Sequence, residues 1–335
     1  MKLTLNSPLD MHLHLRDGKM LDDIAKYSAK SFAGALIMPN LIPPVTTIKA
    51  IIEYKERILK ACNGEIFTPY MSLFFKESYT PEFLRDAKPF ISAVKLYPSG
   101  VTTNSEGGVS SIDIKKLAHI FEAMSELGIP LCVHGETDGF VMDREKEFSA
   151  VYESIASAFP KLTIIMEHIT TKESAELLKK YDNLYATITL HHLLITLDDV
   201  AGGLLNPHLF CKPIAKTYKD REALVQIAIN ADKKVMFGSD SAPHLASKKE
   251  CCGCAAGIFT APIALSALAE LFEKHNKLTN LQAFASDNAR NIYNITPPKK
   301  EVVLRKKEQT IPKEFEGVVP MFAEKRLTWS IEQIY

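Results

Sequence analysis

Short apolar runs rich in Val, Ile and Leu alternate along this chain with stretches whose apolar residues fall three and four apart. Runs of the first kind suit strands covered on both faces, and stretches of the second kind suit helices that bury one stripe. Eight runs stand out, at 8–14 (PLDMHLH), 32–40 (FAGALIMPN), 65–75 (EIFTPYMSLFF), 91–98 (ISAVKLYP), 129–136 (IPLCVHGE), 162–169 (LTIIMEHI), 184–190 (LYATITL) and 234–240 (KVMFGSD). Between them, 112–127 (IDIKKLAHIFEAMSEL) and 218–231 (YKDREALVQIAINA) show helical spacing. Eight strands with helices between them predict an α/β fold, a (β/α)8 TIM barrel. Residues 1–335 read as a single domain, with 296–335 as a C-terminal extension packed on the barrel.

A chain of 335 residues that is 46% hydrophobic has enough apolar material for one large core. Its 40 basic and 40 acidic side chains cancel. That balance argues against nucleic acid or an anionic membrane as partner and leaves a small molecule. The opening MKLTLNSPLDMHLHLRDG lacks the apolar stretch of a signal peptide, and no later run spans a bilayer, so the expected location is the cytoplasm. Three of the six cysteines bunch as Cys251, Cys252 and Cys254, without the second Cys or His pair of a structural zinc site. All six read as reduced thiols.

Ionisable and polar residues gather where the runs end, at His14, Asn40, Lys95, His134, His168 and Asp240, on the rim where barrel active sites lie. His12 and His14, two apart on a strand, point the same way and suit one shared cation, although two polar residues at a strand end also account for them. Asp240 in FGSDSAPH suits a cation or a helix N-cap, and His134 and His168 suit ligands or hydrogen-bonded core histidines. Lys95 is the least ordinary of the set. Inside an apolar strand it must lose its charge, find a partner or reach solvent. A neutral amine can combine with carbon dioxide to give a carbamate, whose two oxygens bridge two cations; an ion pair with a carboxylate is the other reading. The loop 98–111 (PSGVTTNSEGGVSS) is small, polar and Gly-rich, as both active-site lids and idle surface loops are.

Together these residues resemble the amidohydrolase superfamily, with HxH on the first strand, a lysine on the fourth, single histidines on the fifth and sixth and an aspartate on the eighth. Every ligand position is filled, in barrel order, across nearly the whole chain. DMHLHLRD, MPNLIPPV, VKLYPSGVTTNS, GSDSAPH and CGCAAG narrow the resemblance to the dihydroorotase family. The first run begins at residue 8, leaving no N-terminal half for the β-sandwich of hydantoinases, so the chain resembles the short, barrel-only type.

The resemblance implies a zinc-dependent enzyme that interconverts N-carbamoyl-L-aspartate and L-dihydroorotate in pyrimidine biosynthesis. It implies two Zn²⁺ per subunit, bridged by a hydroxide and by N6-carboxylated Lys95. His12, His14 and Asp240 complete one site; His134 and His168 complete the other. Asp240 is then also the general acid and base. Arg16, Asn40 and His244 are expected to hold the substrate carboxylate, and backbone near Ala255 and Lys212 to meet the ring. Thr102 and Thr103 are expected to close as a lid, and the resemblance implies a homodimer.

Two departures stand out. Lys212 in FCKPIAK occupies a place where the family pattern has an apolar residue, and the seventh strand ends in LHHLL rather than a Gln-His pair. His191 and His192 are expected to be structural. A hydantoin-like ring is the near alternative substrate, although Arg16 with Asn40 and His244 argues for an acidic one. A catalytically inactive scaffold barrel is the alternative of another class, and the complete ligand set argues against it.

Overall fold

The computed structural model describes residues 1–335. Eight parallel strands pair in chain order: β1 (Leu9–Leu13), β2 (Gly34–Ile37), β3 (Thr68–Phe74), β4 (Ala93–Leu96), β5 (Leu131–Val133), β6 (Ile164–Met166), β7 (Leu184–Ile188) and β8 (Val235–Phe237). Each falls within one of the eight apolar runs. The helices Ile114–Leu127 and Tyr218–Ile229 occupy the two stretches of helical spacing. Their starts are fixed by Asp113 and Thr217, whose side chains accept backbone N–H groups of the first turn.

The ring closes between β8 and β1. The Asp240 N–H donates to the His12 carbonyl (2.8 Å), and the His14 N–H donates to the Ser241 carbonyl (3.2 Å). Ser239 adds a tie by donating its N–H and hydroxyl to the Asp10 carboxylate, at 2.7 and 2.5 Å. A Cβ at position 238 would lie 2.9 Å from the Cβ atoms of both His12 and Thr187, so closure there requires glycine.

A main core lies between strands and helices, while Leu36, Ala93, Cys132, Ile165 and Met236 form a separate apolar layer with Leu9, Met11 and Met38. Ala289 and Tyr293 of the helix Asn288–Tyr293 pack against that layer. Two residues further along the same strands come Asn40 after Met38, Lys95 after Ala93, His134 after Cys132 and Glu167 after Ile165. Strand alternation therefore sets a polar layer on the apolar one. β1 departs from strict alternation, because its register with β2 shifts between Asp10 and Leu13. This bulge lets Met11 join the apolar layer while its neighbour His12 lines the cavity described below.

The sequence pattern did not announce the strand Lys2–Asn6, nor the four short strands of the tail. Lys2–Asn6 pairs with Glu301–Arg305, which pairs in turn with Ser330–Ile334. Val302, Leu304, Leu327 and Trp329 join the main core, so segment 296–335 is bound to the barrel by both a sheet and packing. No helix is long and apolar enough to cross a membrane.

Candidate active site

The polar layer opens into a small, mostly polar cavity at the C-terminal ends of the strands. His12 and His14 enter it from β1, with their Nε2 atoms 3.3 Å apart. Asp240 follows β8 and places Oδ1 3.1 Å from His14 Nε2 and 3.7 Å from His12 Nε2. Across the cavity floor, His134 Nδ1 lies 3.1 Å from His168 Nε2. Two groups of ligand atoms therefore converge from four strands.

The ring orientations are set from behind. His12 Nδ1 is 2.7 Å from Glu167 Oε2, which leaves Nε2 for the cavity, and His134 Nε2 is 2.8 Å from Glu136 Oε2, which leaves Nδ1. Glu167 also accepts the Thr187 hydroxyl at 2.6 Å. Sequence reasoning named neither glutamate. Glu167 was legible as the residue two after interior Ile165, and Glu136 as the residue two after His134.

His168 and Asp240 adopt left-handed backbone, with φ of 41° and 44°, and Arg16 does so with φ of 60°. Non-glycine residues rarely accept this conformation, and three of the chain's twelve such residues stand at this cavity. At His168 the turn brings a second consecutive side chain, after Glu167, to the interior.

Burial dominates the electrostatics. It lowers the pKa of His12, and it drives His14 and His168 well below the ordinary imidazole range. These rings stay neutral, the form that binds cations. Burial also lowers Lys95, whose Nζ is fully enclosed without a hydrogen-bond partner, 4.0 Å from Glu167 Oε1 and 5.1 Å from the Tyr97 ring. For Glu167, burial works to raise the carboxyl, but Lys95 and His12, helped by the Thr187 hydroxyl, outweigh it and hold the pKa at about 2. Burial, the largest influence, pushes the Asp240 carboxyl up.

The remaining predicted residues form the walls. Arg16 lines the cavity and sets Nη2 2.9 Å from His244 Nε2, which also lies 3.0 Å from the Ala256 carbonyl. Burial, then the Arg16 charge, lowers His244 to about 3, so it is neutral beside the guanidinium. Asn40 donates Nδ2 to the Thr103 carbonyl (2.9 Å), and Thr102 and Thr103 face the cavity. Lys212 faces it too, and its ammonium donates to the Val101 carbonyl (3.1 Å).

Ala255 lies just outside this cavity. Its N–H donates to the Lys248 carbonyl and its own carbonyl accepts from Lys249, while Ala256 and Gly257 make the wall one residue further on. His191 and His192 are buried behind the site with Cys211. His192 reaches Thr189 Oγ1 and the Pro213 carbonyl, and Cys211 donates to the same carbonyl. That network accounts for two of the three groups as hydrogen-bonded braces, and leaves only the His191 ring without a partner.

Comparison with known proteins agrees with this geometry. The amidohydrolase family pattern matches residues 9–299. The chain is 48% identical to dihydroorotase of Helicobacter acinonychis over 340 residues, covering the whole of both chains. Its fold is similar to the crystal structure of dihydroorotase from Campylobacter jejuni, with a TM-score of 0.95 and 55% identity over 99% of this chain and 98% of that one. It is also similar to dihydroorotase from Saccharomyces cerevisiae in complex with 5-fluoroorotic acid, with a TM-score of 0.93 and 35% identity over the same shares.

Proposed function

Because the chain belongs to the dihydroorotases of the amidohydrolase family, we propose that its cavity opens and closes the dihydroorotate ring as a zinc enzyme with carboxylated Lys95. The observation that carries the reading is the meeting of Arg16 with His12, His14, His134, His168 and Asp240 in one cavity beside an enclosed Lys95 amine that makes no hydrogen bond and has only Glu167, at 4.0 Å, as an ionic neighbour. A buried amine without a hydrogen bond is costly as it stands, and two neutral histidine groups facing each other lack a common partner. Both features fit cations: His12, His14, Asp240 and carboxylated Lys95 would hold one Zn²⁺, and Lys95, His134 and His168 the other. Bound there, two such ions would polarise the ring carbonyl and make water nucleophilic near neutral pH.

The chain's own groups do the rest. Opening the ring breaks a C–N bond, turns the ring carbonyl carbon into a carboxylate and gives the nitrogen a proton. Asp240 takes the proton from water and delivers it to that nitrogen, and it runs the same path in reverse when the ring closes. Arg16 receives the carboxylate that does not react; its planar fork suits two oxygens, with neutral His244 beside it and Asn40 in reach. Glu167 and Glu136 fix the rings of His12 and His134. Thr102 and Thr103 cover the bound molecule and exclude water. On the same reading the enzyme is a cytoplasmic homodimer that works on this small-molecule pair, N-carbamoyl-L-aspartate and dihydroorotate.

Arg16→Ala tests the substrate assignment. The variant should keep the wild-type metal content, because the lost contacts are to His244 and the Pro243 carbonyl rather than to the ligand set. Its kcat/KM for dihydroorotate should fall by the equivalent of about 2–5 kcal/mol, the usual loss for a buried charge-assisted contact. Unchanged kinetics would remove the acidic substrate from the reading.

A further inference from the structure

We propose that Lys212 is a positioning residue that latches the 98–111 loop over the cavity, a role that rests on the dihydroorotase reading for its kinetic consequence but not for its structural one. The loop is organised by its own bonds: Ser105 Oγ joins the Thr102 N–H and carbonyl, and Val109 N–H donates to the Tyr97 carbonyl. Those bonds shape the loop without fastening its tip to the barrel. The tip is fastened on one side by Asn40, through the Thr103 carbonyl and the Asn104 amide (2.9 and 3.0 Å). On the other side the ammonium of Lys212 reaches the Val101 carbonyl at 3.1 Å. Asn40 follows β2 and Lys212 precedes β8, while Lys76, after β3, holds the later part of the loop through the Gly107 carbonyl (2.7 Å), so the anchors come from separate parts of the ring and Lys212 is the one on the β8 side of the 101–104 tip.

The base of Lys212 suits an anchor. Its neighbours Cys211 and Pro213 are buried, and Cys211 donates into the Pro213 carbonyl. One residue earlier, the Phe210 carbonyl accepts both Lys249 Nζ (2.9 Å) and the Gly257 N–H (3.0 Å), which ties this segment to the substrate-facing wall. A flexible four-carbon stem on a fixed base can follow the loop through a small displacement, and its ammonium has no acidic side chain within ion-pairing distance. An apolar residue here would fill the same space and leave the Val101 carbonyl without this donor. The charge of Lys212 is thus committed to lid backbone.

The test compares wild type, Lys212→Met and Lys212→Arg as metal-loaded enzymes without substrate, by hydrogen exchange of the segment 101–105. Losing one charge-assisted hydrogen bond at a half-exposed site should raise exchange there about tenfold in Lys212→Met, with the barrel strands unchanged. Lys212→Arg retains a donor of similar reach and should stay near wild type. With dihydroorotate, Lys212→Met should raise KM by about the same factor and leave kcat within about twofold, because closure then draws on binding energy. Equal exchange in wild type and Lys212→Met would overturn the latch, as would loss of protection in Lys212→Arg equal to that in Lys212→Met. A wild-type enzyme inert toward dihydroorotate would sink the reaction assignment while leaving the exchange result to stand by itself.

Discussion

Asp240→Asn should leave a folded protein whose turnover of dihydroorotate is reduced by about 10²–10⁴-fold, the range lost when a positioned proton carrier is removed. Folding is expected to survive because the closing hydrogen bond between β8 and β1 uses the Asp240 backbone N–H, not its side chain. The side chain reaches only His12 and His14 among ionisable partners. An amide of the same shape keeps the packing but cannot carry the proton from water to the ring nitrogen, and it binds a cation more weakly than a carboxylate. Kinetics in both directions, measured beside the metal content, check this. Equal losses in ring opening and ring closing are expected, because one group serves both. Turnover within about twofold of wild type at full metal loading would take Asp240 out of the reaction.

Lys95→Ala should be the other severe variant, and its first readout is metal rather than rate. Removing partners that merely orient ligands costs about 10–100-fold in metal affinity, and loss of a bridging anion should exceed that range. The amine makes no hydrogen bond and the strand holding it pairs through backbone on both sides, so the far-ultraviolet circular dichroism should match wild type. The vacated space is enclosed beside Glu167, Tyr97 and His12. Acetate or propionate entering it should restore part of both the metal content and the activity. Full metal occupancy and activity in Lys95→Ala without added carboxylate would remove the bridge from the mechanism.

Most of the barrel was legible because its strands are continuous apolar runs, and two residues past interior Met38, Ala93, Cys132 and Ile165 comes a polar one. The strand Lys2–Asn6 was not, since only one of its five residues is buried and its partner lies some three hundred residues away, at Glu301–Arg305. The bulge in β1 was equally hidden: nothing in LDMHL announces that Met11 and His12 share the interior. At the site, strict alternation points Glu167 rather than His168 inward, and the left-handed backbone at His168 lets both serve. Lys212 was visible as an oddity. Its contact with Val101 was not, because a loop-to-loop hydrogen bond across 111 positions leaves no local trace.

The central claim, a metal-dependent ring-opening and ring-closing enzyme, is tested most directly by following dihydroorotate and N-carbamoyl-L-aspartate with the purified protein before and after chelation. Conversion in both directions is predicted, abolished when the metal is stripped and restored when Zn²⁺ is added back. Undiminished conversion by metal-free protein, or none by protein carrying two Zn²⁺ per chain, would contradict the account.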